Sequence, residues 1–325
     1  MTSSRTLAVE CWWDSAPELI EPQWQGDGAA SQFGPFSGVT TNPMLMLDAC
    51  KRLPPVGCGR VGWDLYLACC ARSADYLTSR QISIPFCVQL DPRSAFDAPS
   101  MLDQAAEIRT RIPNATIKVP LTSAGVETVH VLSSAGVPVN ATWGFSVAQL
   151  VSAAQAIADA HRGVAPTATR PRHVLTLMEG RIGDLGLGIH VGSEPRRVRA
   201  AECIVFEAAY NSLRRYRDVA TLLASSLRVG PGNECWHYGT KVDREVILTL
   251  PPSFLRRQGL PSLDVEYGRV DDSSRAVVLQ NDAVRRYAAE DGFEPHEFDL
   301  LAPLTKTHDE AVCAMEGFED LASHG

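Results

Sequence analysis

Two kinds of segment alternate along this chain when its hydrophobic and polar positions are compared. Short apolar runs rich in Val, Ile, Leu and Thr are typical of parallel strands buried on both faces. Eight such runs occur, at residues 7–11, 38–41, 82–90, 115–120, 137–143, 173–178, 221–228 and 246–251. Longer amphipathic segments between them predict helices, at residues 43–52, 63–80, 100–111, 124–135, 146–161 and 195–216.

The repeated order of strand and helix predicts an α/β fold, a single (β/α)8 TIM barrel. We therefore expect one domain over residues 1–325. An open doubly wound sheet is the alternative, but it usually carries a glycine-rich phosphate turn after its first strand, and none follows Cys11. After the eighth run, residues 280–291 and 309–322 predict additional C-terminal helices, and the polar residues 268–275 predict a loop.

The amino-acid composition argues against some classes of binding partner. The formal charge of −8 argues against nucleic acid or a membrane surface, and no apolar run is long enough to span a bilayer. The short polar start of the chain does not resemble a signal peptide, so we expect a cytoplasmic protein. Its nine cysteines include no CxxC pair and are expected to be reduced thiols. Cys235 and His237 alone are weak evidence for a metal, so no metal and no cofactor are expected.

One lysine stands out because the thirty basic residues include only four lysines. Three of these fall in predicted loops or helix ends, whereas Lys118 lies inside the fourth predicted strand. Strand alternation turns Lys118 into the barrel if Ile117 and Val119 pack against helices. Barrel active sites lie at the C-terminal ends of strands, where burial exposes a neutral amine that can attack a carbonyl. A structural ion pair with a carboxylate such as Glu10 is the alternative explanation of a buried lysine.

Five motifs, in order along the chain, resemble those of the transaldolase family. They are GVTTNP at residues 38–43, IKVP at 117–120 continuing to Gly125, VNATWGFS at 139–146 followed by Gln149, GRI at 180–182 and SSLR at 225–228. The resemblance extends from Leu7 to about Ala322. It implies that Lys118 forms a Schiff base with a ketose phosphate and passes a dihydroxyacetone unit to an aldose phosphate. It also implies sugar-phosphate substrates, a role in carbohydrate metabolism such as the pentose phosphate pathway, and a possible homodimer.

The same resemblance implies roles for individual residues. Side chains at strand ends would transfer protons and hold the catalytic water. A second set of side chains would bind the substrate hydroxyls and phosphate. A guanidinium fork matches phosphate oxygens, which suits the two arginines of that second set. The implied catalytic residues are Lys118, Glu10, Gln89 and Thr142, and the implied substrate-binding residues are Thr41, Asn42, Asn140, Ser146, Thr176, Arg181, Ser226 and Arg228.

Three positions depart from the family pattern. Glu10 stands where the family has an aspartate, and Asp14 is expected to lie beyond the strand end. Gln89 replaces a glutamate, as in the related fructose-6-phosphate aldolases, whereas Met178 replaces the tyrosine that those aldolases use. The departures leave alternatives to transaldolase-like transfer open. One is an aldolase or a specialised-metabolism paralogue that builds an unusual higher sugar phosphate, and another is a non-catalytic sugar-phosphate-binding paralogue.

Overall fold

A closed barrel of parallel strands forms the centre of the computed structural model, which describes residues 9–25, 33–56, 59–162, 170–187, 194–229, 234–262 and 267–322. Each strand pairs with the next one in sequence, and the eighth pairs with the first. The strands are β1 (Glu10–Asp14), β2 (Phe36–Thr40), β3 (Phe86–Gln89), β4 (Thr116–Pro120), β5 (Val139–Gly144), β6 (His173–Met178), β7 (Ala220–Ser225) and β8 (Ile247–Leu250). The (β/α)8 barrel that the sequence predicted is confirmed.

Helices connect successive strands and continue after the last one. Helix α1 has the predicted bounds because Asn42 caps its first turn and Pro43 suits the first helical position. The α-helices of the described ranges are α1 (Pro43–Arg52), α2 (Gly62–Ser79), α3 (Ala98–Arg111), α4 (Ser123–Ser134), α5 (Val147–Arg162), α6 (Glu179–Arg181), α7 (Pro195–Leu213), α8 (Trp236–Gly239), α9 (Pro252–Gln258), α10 (Asp272–Val278), α11 (Asp282–Ala288) and α12 (Ala302–Ala322). The predicted C-terminal helices are therefore confirmed, and α12 packs against α1 and α2.

The predicted loop at residues 268–275 is wrong in its second half, where α10 begins at Asp272. The Asp271 carboxylate accepts a hydrogen bond from the Ser274 backbone N–H at 2.8 Å, so it caps this helix. Helix α12 also begins earlier than predicted, at Ala302. Residues 7–8 of the first predicted strand lie outside the described residues.

Apolar side chains, which we call the apolar plug, fill the barrel interior toward the N-terminal ends of the strands. Five buried residues form a cluster separate from the core between strands and helices: Trp12, Cys87, Val174, Leu223 and Ile247. Gly38 faces this plug, and a Cβ there would lie 2.3 Å from Cε2 of Trp12, so only glycine fits. Ile117 and Val119 belong to the outer core instead, as strand alternation predicted. The plug forms an apolar floor beneath the polar C-terminal ends of the strands.

The first strand lies further along the chain than the sequence pattern predicted. It covers Glu10–Asp14, whereas the apolar run predicted residues 7–11. Pairing sets these bounds, because Trp13 lies beside Leu250 of β8 and Asp14 beside Thr40 of β2. The shift places Glu10 at the N-terminal end of β1 and makes Asp14 its last residue.

Candidate active site

Lys118 lies at the centre of the polar layer above the apolar plug. Strand register places Gln89 of β3 on one side of it and Asn140 of β5 on the other. Its side chain is 7% exposed, and its Nζ donates a hydrogen bond to the Thr41 carbonyl oxygen at 2.9 Å. Burial lowers the pKa of Lys118 below its ordinary value, against the attraction of the Asp14 carboxylate. A larger fraction of neutral amine is therefore present than on a solvated lysine.

Asp14 is the carboxylate of β1 that shares this end of the barrel with Lys118. It is the last residue of its strand and accepts a hydrogen bond from Thr40 Oγ1 at 2.6 Å. Desolvation by the surrounding protein raises its pKa, against the charge of Lys118 and the Thr40 hydrogen bond. The prediction that Asp14 lies beyond the strand end is therefore wrong.

Glu10 lies at the opposite, N-terminal end of β1. It pairs with Ile247, the first residue of β8, about 13 Å along the strand from Asp14. Two hydrogen bonds from Arg172, at 3.0 and 2.6 Å, and one from Ser37, at 3.0 Å, reach its carboxylate. Partial burial acts to raise the pKa of Glu10, but these bonds outweigh it and lower that pKa. The placement of Glu10 beside Lys118, as catalyst or as ion-pair partner, is wrong.

Hydrogen bonds fix the polar side chains around Lys118. Asn140 accepts a bond from Thr176 Oγ1 at 2.6 Å, and its amide nitrogen lies 3.5 Å from the Cys87 sulfur. The Tyr66 hydroxyl bonds the backbone N–H and carbonyl of Gln89, at 3.2 and 3.1 Å, and so fixes the end of β3. Four residues that the sequence predicted are buried in this layer: Gln89, Asn140, Thr142 and Thr176.

Three further predicted residues help to hold the loops that follow the strands. Thr41 Oγ1 donates to the Cys87 carbonyl at 3.0 Å, while the Thr41 carbonyl accepts from Lys118. Asn42 caps α1 through its side-chain oxygen, 2.9 Å from the Leu45 nitrogen. Ser146 is fully buried, and its hydroxyl accepts from the Gln149 backbone N–H at 3.2 Å. Direct substrate contacts by these three residues stay predictions.

The predicted phosphate-binding residues lie on two adjoining segments after β6 and β7. Gly180 packs directly on the second segment, since a Cβ there would lie 2.1 Å from the Ser226 carbonyl oxygen and 2.6 Å from Arg228 Cγ. Arg181 pairs with Glu310 of α12 at 2.6 Å. Arg228 pairs with Asp184 at 2.6 Å, and its Nη1 donates to the Ser226 carbonyl at 3.2 Å. The structure therefore brings Arg228 and Ser226 together and places the Arg181 backbone beside them.

The sequence reasoning missed a group of buried charged residues behind these segments. Lys241, expected in a loop or helix end, is fully buried, and its Nζ lies 2.8 Å from Glu179 Oε2. Glu202 and His237 are equally buried and hydrogen-bonded to each other at 2.9 Å. The scarcity of lysine singled out Lys118, and the same signal pointed to Lys241.

A family model matches most of the chain, and curated proteins resemble parts of it. A profile of the family described as Transaldolase/Fructose-6-phosphate aldolase matches residues 14–257. A protein from Jannaschia sp. described as a probable transaldolase is 28% identical over 210 residues, which cover 62% of this chain and 78% of that protein. A protein of the same description from Exiguobacterium sp. is 34% identical over 131 residues, 39% of this chain and 50% of that protein.

A third probable transaldolase, from Desulfitobacterium hafniense, is 39% identical over 152 residues, 46% of this chain and 57% of that protein. The chain spans about half the length of most of the curated relatives it matches. Within the described ranges, no helix combines the length and the apolar character needed to cross a membrane.

Proposed function

The chain belongs to the transaldolase/fructose-6-phosphate aldolase family, and on that premise we propose that it transfers a dihydroxyacetone unit from a ketose phosphate to an aldose phosphate through a Schiff base on Lys118. One observation carries the proposal. Lys118 and Asp14 interact at the C-terminal end of the barrel, and burial shifts the pKa of each toward its neutral form. A neutral amine beside a carboxyl group able to exchange protons is what imine chemistry requires.

The proposed reaction begins when the neutral Lys118 amine attacks the ketose carbonyl carbon. Loss of water from the resulting carbinolamine gives the protonated imine, whose positive charge draws electrons from the bond between the α and β carbons of the imine. Asp14 takes the proton of the hydroxyl on the carbon beyond that bond, the bond breaks, and an aldose phosphate leaves. The three-carbon enamine that stays on Lys118 then attacks the acceptor aldehyde, Asp14 returns the proton to the new hydroxyl, and water releases the product.

The neighbours of Lys118 are assigned roles that fit their chemistry. The Asn140 amide and the Thr176 hydroxyl, already hydrogen-bonded to each other, would orient the hydroxyls of the bound three-carbon unit. Gln89 and Thr142 would hold the water that forms and cleaves the imine. Because an amide cannot accept a proton from that water, the proton transfers are assigned to Asp14. The apolar plug beneath this layer keeps bulk water away from the reacting centre.

The phosphate is assigned to Arg181, Ser226 and Arg228. Both guanidinium groups pair with carboxylates, Glu310 and Asp184, which compete with phosphate for them. A phosphate dianion can replace or share these partners, since guanidinium–phosphate bonds are charge-assisted and often bidentate. The donor substrate would then be held by Lys118 at its carbonyl carbon and by these residues at its phosphate.

A second candidate function is an aldolase that releases or consumes free dihydroxyacetone. Gln89 favours it, because the related fructose-6-phosphate aldolases carry glutamine at this position, and the family description covers both activities. In this case the enamine is protonated and hydrolysed instead of attacking an acceptor. Higher sugar phosphates of specialised metabolism fit the same chemistry with a different acceptor.

An assay with and without acceptor tests these functions. Purified protein is mixed with fructose 6-phosphate and a panel of aldose phosphates, and the products are separated by chromatography. New ketose phosphates that form only with an acceptor support transfer, whereas free dihydroxyacetone formed without acceptor supports the aldolase. Sugar-phosphate binding without any product in the whole panel would contradict both and favour a non-catalytic binding protein. Lys118→Met is the matched inactive control.

A further inference from the structure

Four fully buried polar residues, named the buried cluster below, lie directly behind the predicted phosphate-binding segments: Glu179, Glu202, His237 and Lys241. Glu179 immediately precedes Gly180, which packs on Ser226 and Arg228. No role in the proposed reaction requires these four residues. Burial of so many charged groups is costly unless each is paired, and such sets are often kept for a specific geometry.

The charges of the buried cluster are matched in pairs. The Lys241 ammonium lies 2.8 Å from Glu179 Oε2, and Nη2 of Arg199 lies 2.8 Å from Glu202 Oε1. Glu179 and His237, together with Cys203, bring three possible metal-ligand atoms within 4.8 Å of one another. However, Lys241 already pairs with Glu179 and both ring nitrogens of His237 are bonded, so an ion-pair network describes the cluster better than a metal site.

His237 connects this network to the main chain of the phosphate-binding segment. The Arg228 backbone N–H donates to His237 Nδ1 at 3.0 Å. Because this nitrogen must accept, the ring proton lies on Nε2, which donates to Glu202 Oε2 at 2.9 Å. Burial and the charges of Lys241, Arg199 and Arg228 hold the pKa of His237 well below its usual value. The imidazole therefore stays neutral, and Nδ1 stays available to Arg228.

The segment that His237 holds is conformationally strained. Ser226 has φ +57°, in the left-handed region that residues other than glycine seldom occupy. Such a conformation costs on the order of 1 kcal/mol or more and persists only where the surroundings enforce it. Gly180 restrains this segment from one side, and the His237 bond holds it two residues further on.

We propose that His237, oriented by Glu202 within the buried cluster, is a positioning residue that sets the backbone of residues 226–228 for phosphate binding. This inference rests on the proposed function, because it takes that segment as part of the phosphate site. It extends that proposal by assigning affinity for the phosphate group, and not the chemistry at Lys118, to a residue that does not touch the substrate.

Two substitutions of His237 separate its two hydrogen bonds. In His237→Asn the side-chain oxygen reaches the position of Nδ1 and can still accept from Arg228. In His237→Gln the terminal nitrogen reaches the position of Nε2 and keeps only the bond to Glu202. Isothermal calorimetry with inorganic phosphate, and with fructose 6-phosphate against fructose, measures the affinity for the phosphate group without any need for turnover. His173→Gln is the matched control, because it removes a buried imidazole at the N-terminal end of β6, whereas Glu179 of the buried cluster follows the C-terminal end.

We expect His237→Gln to weaken phosphate and fructose 6-phosphate binding about tenfold, the effect of one hydrogen bond, and to leave fructose binding unchanged. KM for the phosphorylated donor should rise with little change in kcat, and His237→Asn should recover most of the affinity. Equal loss for fructose and fructose 6-phosphate, or no loss in His237→Gln, would overturn the positioning role. A folded His237→Asn protein that has lost phosphate affinity would overturn it as well, whether or not His237→Gln is soluble. An inactive parent protein that shows the expected affinities would overturn the proposed reaction alone.

Discussion

At the scale of single residues, Lys118 and Asp14 form a pair in which each member is shifted toward its neutral form. Burial removes water from both side chains, which disfavours the ammonium and the carboxylate alike. Their mutual attraction opposes this effect without reversing it. Imine formation needs a neutral amine and a group that exchanges protons near neutral pH, and both follow from this balance.

Asp14→Asn should therefore lower kcat by about a hundredfold or more, the usual range for loss of a general acid–base group. Glu10→Gln is the matched control at the other end of the same strand, where Arg172 holds the carboxylate far from Lys118. We expect Glu10→Gln to change kcat by less than about twofold, because a half-exposed ion pair contributes little. Steady-state kinetics of both variants decide, and the reverse order of effects would contradict the corrected assignment.

The same pair predicts a shift in pH dependence. The negative charge of Asp14 favours the Lys118 ammonium, so its removal in Asp14→Asn lowers the pKa of Lys118 further. The neutral amine then appears at lower pH. The pH midpoint of the imine-forming rate, measured by reductive trapping between about pH 5 and 10, the interval between ordinary carboxyl and lysine pKa values, should move down. An unchanged or raised midpoint would show that the two groups do not interact as described.

Residue patterns in the sequence predicted that Lys118 is buried inside the barrel, but not which carboxylate of β1 lies at the same end. A lone lysine within an apolar strand is a local signal, whereas the position of β1 depends on pairing with β2 and β8, which are far away in sequence. A shift of three residues in that strand places Asp14, and not Glu10, at the C-terminal end of β1. Lys241 was missed for a related reason, because it is buried against residues far away in sequence, Glu179 of α6 and Phe206 of α7.

At the scale of elements, α12 supplies side chains to the end of the barrel that holds the site. Its Glu310 pairs with Arg181 at 2.6 Å, and its Glu319 contacts Arg93 at 2.5 Å. The sequence pattern predicted this helix only from residue 309, whereas it begins at Ala302 with Pro303 in its first turn, where proline is tolerated. The C-terminal helix therefore contributes to the predicted phosphate site.

The ion pair between α12 and α6 predicts the effect of Glu310→Gln. Removing the carboxylate frees the Arg181 guanidinium for phosphate, so KM for a phosphorylated donor should fall about two- to fivefold, the effect of one partly exposed ion pair. Glu319→Gln on the same helix, which removes one of the two carboxylate partners of Arg93, should leave this KM unchanged. A raised KM in Glu310→Gln would show that Glu310 holds Arg181 in place instead of competing with phosphate.

At the scale of the whole molecule, the strand–helix rhythm was enough to predict the barrel, because eight buried parallel strands have few other ways to close. The candidate active site lies at the C-terminal end of that barrel, whereas the buried pair of His161 and His173 joins the end of α5 to the start of β6, with Nε2 atoms 3.1 Å apart. The single domain, the homodimer and the cytoplasmic location stay predictions.

This histidine pair predicts how global stability depends on pH. Burial and the neighbouring His161 lower the pKa of His173 from 6.5 to about 4, so the unfolded chain binds a proton first as pH falls. The contribution of His173 to the free energy of unfolding is therefore fully present above about pH 6.5 and is lost toward pH 4. For a shift of this size it amounts to about 3 kcal/mol. Urea unfolding of His173→Gln should show a smaller loss over this range than the parent. An equal loss in both proteins would mean that His173 is not the group responsible.

Reductive trapping is the most direct test of whether Lys118 forms a Schiff base with a ketose phosphate. The protein is incubated with fructose 6-phosphate and sodium borohydride, digested, and mapped by mass spectrometry. The account predicts a reduced three-carbon adduct on the peptide that contains Lys118, and none in Lys118→Met or without the ketose phosphate. An unmodified Lys118, under conditions that label a known transaldolase, would contradict the Schiff-base mechanism. An adduct on Lys241 instead would contradict the assignment of Lys118 as the nucleophile.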